Sequence, residues 1–362
     1  MMAQRVDNPA AGRHASNPHE TPWLHRFAVF LVFGVLFLIT AGGMVTSTGS
    51  GLSVPDWPTT YGHNMFAFPY AKWVGGIYYE HGHRLVATTI GMLTIVLAIW
   101  IQCVEPRRWL RRLGWVALLV VIAQGILGGL TVHYLLPTWI SVFHACLAQT
   151  FFCIIVSIAV VTSSAWKRRT PQTMIECSSS VRRWAVAMVA VVFLQLFLGA
   201  LMRHTDAGLA VPDFPLAYDQ VLPGLSDADI AAYNDHRGFD LNIPPVTREQ
   251  VLVHLIHRAG AVLVTLVFAA GVVLSWRKHF AHDAIRRPIL IIAGLLVIQI
   301  ALGAYTVLSQ RNPWVATAHV ATGAAVLGVC WLNVLAIHRS TRVAAAREVA
   351  LETSAILGGA TA

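Results

Sequence analysis

Four histidines set the chemistry open to this chain. His83 and His257 stand at the heads of the second and sixth of eight long apolar segments, each followed by an arginine, Arg84 and Arg258. His144 and His319 lie in the fourth and eighth segments, counted from Pro137 and Pro313. At 1.5 Å per residue they sit roughly 7–10 Å below the outer end. A charge at a membrane helix centre costs on the order of 2.5–3.5 kcal/mol, so ionisable groups at depth persist mainly where they line a cavity, pair or bind something. A single membrane histidine is equally well explained by a helix–helix hydrogen bond. Four at one depth, two in each half of the chain, supply what is needed to grip an iron from both faces of a porphyrin, twice over, and imidazole is a common axial ligand of haem iron. Zinc is the weaker alternative, because its sites want tetrahedral clusters and only His254 and His257 come close to a short-range pair.

The two halves differ at one place. Aligning His83 with His257 sets Glu80 against His254. A group three residues before a ligand lies on the same helix face, one turn away. An electron-transfer pair has no obvious need of a carboxylate there. A site that transforms something beside the iron can use one as proton donor or acceptor, or as a charge that stabilises a cationic intermediate. The first copy therefore reads as catalytic and the second as a cofactor site. Arg84 and Arg258 could meet propionates through charge-assisted bonds or snorkel to lipid head groups.

The elements that position these residues are membrane spans. The chain of 362 residues is 56% hydrophobic and 12% charged, with a mean hydropathy of +0.62, whereas soluble domains carry about 25% charged residues. Segments 26–47, 80–103, 113–133, 139–162, 184–202, 251–275, 288–308 and 314–337 are each long enough to cross a bilayer. The fold class expected is all-α integral membrane, with eight transmembrane helices. The links after the second, fourth and sixth spans are rich in Lys and Arg, while 203–250 collects acids. The basic ends should face the cytoplasm or a mitochondrial matrix, with both termini on that side. The net charge of +9 is then a matter of topology and implies no nucleic-acid partner. The polar residues before Trp23 lack the apolar core of a cleaved signal peptide. Of the five cysteines none forms a CxxC pair, and no disulfide framework is visible.

An internal repeat organises the whole. TSTGSGLSVPDWP at 46–58 aligns with RHTDAGLAVPDFP at 203–215, and His83-Arg84 recurs as His257-Arg258. QGILGGLTV at 124–132 and QIALGAYTV at 299–307 share Gln-x-x-Leu-Gly, and His144 matches His319 at the same spacing of 175 residues. Four spans per copy return the chain to its starting side, so the copies should be parallel four-helix bundles related by a pseudo-twofold axis, unlike the inverted repeats of many transporters. The expected parts are a tail at 1–25, a first half at 26–165, a basic linker at 166–183, a second half at 184–338 with a long external loop at 203–250, and a tail at 339–362. In the long loop, Ser226–Tyr233 suggests a short helix with Ser226 as its cap. Gly75, Gly76, Gly128, Gly129 and Gly303 suit close helix packing or a flat cofactor, and Trp57, Trp73, Trp139 and Trp314 suit an interfacial aromatic belt.

On EHGHR at 80–84, the histidines at 144, 257 and 319, the GLxVPDWP and GLxVPDFP repeats and the eight spans in two halves, the chain resembles the haem A synthase family over roughly residues 26–338. The resemblance implies oxidation of the C8 methyl of haem O to a formyl group, giving haem A for cytochrome oxidase, by successive hydroxylations through an alcohol and a final dehydration. It implies that His257 and His319 ligate a resident haem b, that His83 and His144 form the substrate-haem site, and that Glu80 is the acidic residue essential to chemistry. It also implies a location in the bacterial cell inner membrane or mitochondrial inner membrane, a farnesyltransferase that supplies haem O, and an electron donor whose identity stays open, as does a homo-oligomer. Some members carry a cysteine pair in the first external loop; 48–79 has none here, so a thiol relay through that loop is not open to this chain. The alternatives are a membrane di-haem b-type cytochrome passing electrons to or from quinol, and a porphyrin or metal transporter. The latter is disfavoured because histidines near one face do not suit a midplane site.

Overall fold

The computed structural model describes residues 22–167, 177–239, 241–276 and 283–359. The tail at 1–21 and the centres of two basic links lie outside the described residues. The described chain is helical, its β content limited to the isolated bridges Thr60–His63 and Ala217–Gln220. In order come α1 (Pro22–Ser47), α2 (Gly76–Val104), α3 (Arg108–His133), α4 (Thr138–Thr162), the single turn α5 (Ser164–Lys167), α6 (Ser179–His204), α7 (Asp227–Phe239), α8 (Arg248–Trp276), α9 (Asp283–Leu308) and α10 (Pro313–Gly359). All but α5 and α7 are long and apolar enough to cross a membrane. In a bilayer each backbone N–H and C=O must be satisfied within its own segment, and the helix does this. This is a multi-pass membrane protein.

The ends of the spans obey local rules. Pro22 and Pro313 open α1 and α10, where a missing N–H costs nothing. Ser178 caps α6 by accepting from the Val181 N–H. Asp229 N–H donates to Ser226 Oγ, so the short helix expected in the long loop forms as α7, and it continues to Phe239. The eighth span, Pro313–Arg339, matches the expected one, and its helix α10 continues past it to Gly359.

The packing follows the repeat. In the first copy α1 lies against α2 and α4, α3 against α4, and α2 along α3; in the second α6 lies against α8 and α10, and α9 against α10. The copies join through α1 on α10, α4 on α6, and α4 on α10, an arrangement compatible with a pseudo-twofold relation. The second copy is looser at one seam. Gly114 lets α3 approach the Ala98 and Ile101 turns of α2, whereas α8 and α9 make little contact.

Two apolar cores fill the ends of the bundles that carry the basic links. One gathers Leu24, Leu31, Leu97, Ile101, Phe151 and Ile155, the other Val181, Met188, Ile289, Ile292 and Leu327. Trp331 packs against both and donates to Ser157 Oγ at 2.7 Å. The four histidines all lie on the loop side of these cores.

Candidate haem sites

Each of the four histidines is seated against a glycine on a neighbouring helix. A Cβ added at Gly42 of α1 would lie 3.0 Å from His83 Cε1, and one at Gly128 of α3 would lie 3.2 Å from His144 Cε1. In the second copy the corresponding approaches are 3.2 Å from Gly199 of α6 to His257 and 3.0 Å from Gly303 of α9 to His319. Four imidazoles thus rest on bare backbone, in seats that any larger residue would fill. Gly128 and Gly303 belong to the glycines expected to make room. Gly42 and Gly199 are not among those glycines, although they occupy equivalent positions of the repeat.

The seats bring the imidazoles together in pairs: His83 interacts electrostatically with His144, and His257 with His319. Glutamines accompany three of the four. Gln124 donates to the His144 carbonyl at 2.9 Å, and Gln195 donates to the His257 carbonyl at 2.9 Å. Gln299 Nε2 lies 3.4 Å from His319 Nε2, while His319 Nδ1 donates to the Gln299 carbonyl at 3.1 Å. That last bond fixes the tautomer and leaves Nε2 with its lone pair, the state a metal ligand requires.

These residues fit a haem at each pair. The donors are neutral-capable imidazoles, the glycine seats admit the rings against bare backbone, and Nδ1 of both His83 and His144 is buried without a hydrogen-bond partner. Buried polar atoms are normally satisfied, so such orphans call for an explanation, and an absent ligand is one. Zinc fits less well: among the described residues no group of three or more His, Cys, Asp or Glu is placed to hold a bare ion.

The arginines after the first histidine of each copy turn to the loops above. Arg84 donates to the carbonyls of Val54 (2.8 Å), Asp56 (2.6 Å) and Thr59 (3.2 Å) and pairs with Glu80 Oε1 at 2.6 Å. Arg258 donates to the carbonyls of Leu216 (2.7 Å), Val211 (3.4 Å) and Asp213. These partners match one for one through the repeat. The geometry gives Arg84 and Arg258 the task of docking the VPD loops.

Glu80 is part of the same latch. Its side chain is buried, with Oε1 on Arg84 and Oε2 accepting from the Val54 N–H at 2.8 Å. In the second copy His254 fills the slot and donates through Nδ1 to the Ala207 carbonyl at 2.9 Å. The position fastens a loop in both copies; only its charge differs.

The loops are internally braced by their aspartates. Asp56 accepts from Tyr61 N–H (2.7 Å), Gly62 N–H (2.9 Å) and Thr59 Oγ1 (2.5 Å), and Asp213 accepts from Tyr218 and Asp219 N–H. Burial pushes the Asp56 carboxyl up, but the bonds from Gly62, Thr59 and Tyr61 outweigh it and hold the group below its ordinary value of 3.8. Two tryptophans read as belt residues do more specific work. Trp57 lies on Gly129 beside a cavity of about 230 Å³ lined by Pro55, Ile126 and His133, and Trp73 packs edge-on against buried His81 at 4.6 Å.

The family model described as cytochrome oxidase assembly protein, COX15-CtaA, matches residues 25–331, nearly the whole of both copies. The chain belongs to this family. Among curated members it is similar to the heme A synthase of Shouchella clausii, 28% identical over 294 residues, covering 80% of this chain and 88% of that protein. The heme A synthase of Shewanella oneidensis is 26% identical over 328 residues, covering 84% and 92%. That of Lysinibacillus sphaericus is 24% identical over 321 residues, covering 88% and 96%. The COX15-CtaA match thus spans all four glycine-seated histidines, both VPD loops and the Glu80 latch.

Proposed function

We propose that this protein is a haem A synthase, oxidising the C8 methyl of haem O to a formyl group. Family membership supports the reaction, and one structural observation supports its location: the two histidine pairs sit in matching seats, but only the first has a carboxylate, Glu80, one helical turn from its ligand. Two equivalent sites would be enough for electron transfer. A charge difference confined to one of them suits a division into substrate and cofactor.

In this reading His83 and His144 hold the substrate haem O, and His257 and His319 hold a resident haem b, which when bound supplies electron-transfer chemistry. The imidazoles are oriented by their glycine seats. Glu80 supplies negative charge beside the substrate, where a carboxylate stabilises cationic character or accepts a proton as the methyl is hydroxylated twice, each time taking an oxygen atom from an external oxygen-atom donor, to the hydrated aldehyde, which loses water to give the formyl group. Arg84 positions Glu80 by ion pairing and keeps the VPD loop closed over it, excluding water. The loops face outward and the basic links inward, toward cytoplasm or matrix. In the same reading haem O is supplied by a farnesyltransferase and electrons by a separate donor.

The test is extraction of haems from cells that make haem O, with and without this chain. The proposal requires a formyl-haem that depends on the chain. A di-haem cytochrome would yield haem b and unaltered haem O.

A further inference from the structure

The glutamines at the histidines form a pattern with one exception. In Gln124–Gly128, Gln195–Gly199 and Gln299–Gly303 the glutamine lies four residues before the glycine seat. Residues four apart share a helix face, so each seat carries an amide one turn below it. The position before Gly42 is Leu38. The neighbouring helix is altered to match. The Gln195 amide lies against Gly260, where a Cβ would collide with its Oε1; the repeat places Val86 in the corresponding position of the first copy, and both Leu38 and Val86 pack against the apolar core there.

The amides do more than fill space. Gln124 and Gln195 tie the histidine backbone to the neighbouring helix, and Gln195 Nε2 lies 3.2 Å and 3.4 Å from the two ring nitrogens of His257. Oε1 of Gln124, Gln195 and Gln299 is in each case buried without a partner. Each glutamine fixes its histidine by a different route: Gln124 and Gln195 through the histidine's backbone carbonyl, and Gln299 through its own backbone carbonyl on His319 Nδ1, the acceptor a metal-bound imidazole calls for on its far nitrogen. His83 has Leu38 in place of the glutamine on its seat helix, and its Nδ1, like that of His144, is buried without a hydrogen-bond partner.

Building on the haem assignment above, we propose that Gln124, Gln195 and Gln299 are positioning residues that brace three haem-ligating histidines, and that Leu38 with Val86 leaves His83 unbraced as the exchangeable ligand of the substrate site. A resident cofactor needs two firm ligands. A substrate that arrives and a product that leaves need one that releases.

The test is the rate at which purified protein, isolated from cells making haem O, surrenders haem to excess apomyoglobin, with extraction separating haem b from haem O and its products. Partners that orient metal ligands are typically worth about 10- to 100-fold in affinity. Gln195→Met should therefore release haem b at least tenfold faster than wild type, and an unchanged rate overturns the bracing role. The double variant Leu38→Gln/Val86→Gly should slow release of haem O toward that of haem b; an unchanged rate with haem b retained overturns the role of the exception. If Gln195→Met loses both haem types together through general unfolding, the double variant decides. Wild-type protein without haem b would count against the haem assignment itself and not specifically against the bracing.

Discussion

Glu80 and His254 occupy equivalent turns of α2 and α8, and each fastens the loop that folds over its own helix. Glu80 accepts the Val54 N–H; His254 donates to the Ala207 carbonyl. The slot is structural in both copies, and what is private to the first is the charge. That distinction separates two substitutions. Glu80→Gln keeps an acceptor for Val54 and removes the charge, so formyl-haem production should fall by about 10²–10⁴-fold, the usual range for a lost acid or base, while haem b content holds. Glu80→Ala should in addition loosen the loop, seen as faster proteolysis near residues 55–63. Wild-type product yield from Glu80→Gln would remove the catalytic role.

The arginine latch predicts a non-conservative outcome from a conservative change. A planar fork serving three carbonyls cannot be reproduced by an ammonium group. Each buried carbonyl left unsatisfied costs about 1–3 kcal/mol. Arg84→Lys should therefore expose the first loop to protease with the C-terminal haem retained, and Arg258→Lys should do the reverse.

The glycine seats predict position-dependent tolerance. Gly303→Val and Gly199→Val place methyl groups into His319 and His257 and should lower haem b content of the purified protein. Gly82, beside His83 in sequence, has nothing within 4 Å of an added Cβ. Gly82→Ala should leave haem content unchanged and, by reducing backbone freedom, stabilise α2 by about 0.5–1 kcal/mol.

The Asp56 turn carries a pH signature. Because its folded carboxyl is held below the ordinary value of 3.8, its contribution is present above that value and is lost only as pH falls through the depressed one. The first loop should keep its protease resistance down to about pH 4. Asp56→Asn should show reduced resistance already at neutral pH.

Much of this was legible in the sequence. The eight spans, the repeat and the histidine quartet rest on long apolar runs and on positions that recur, and the chain's physics leaves them little choice. The seats were only half legible. Gln-x-x-Leu-Gly was visible at 124–128 and 299–303, and its third instance at 195–199 could have been found by the same search, with Gly42 following from the VPD alignment. The loop-docking role of the arginines was not legible: propionate, head group and loop carbonyl are all satisfied by the same guanidinium, and the loop carbonyls come into reach only once the loop has folded. The continuation of α10 past its span was likewise hidden, since apolar length marks where a membrane is crossed and not where a helix ends.

The central claim is that two like histidine pairs hold unlike haems. It is tested most directly by the haem content, by type, of protein purified from cells that make haem O, in His83→Ala/His144→Ala and His257→Ala/His319→Ala variants. The first should keep haem b and its low-spin spectrum while losing haem O and its oxidised products; the second should lose haem b. Equal loss of every haem type in both variants, or a haem b that survives removal of His257 and His319, would contradict it.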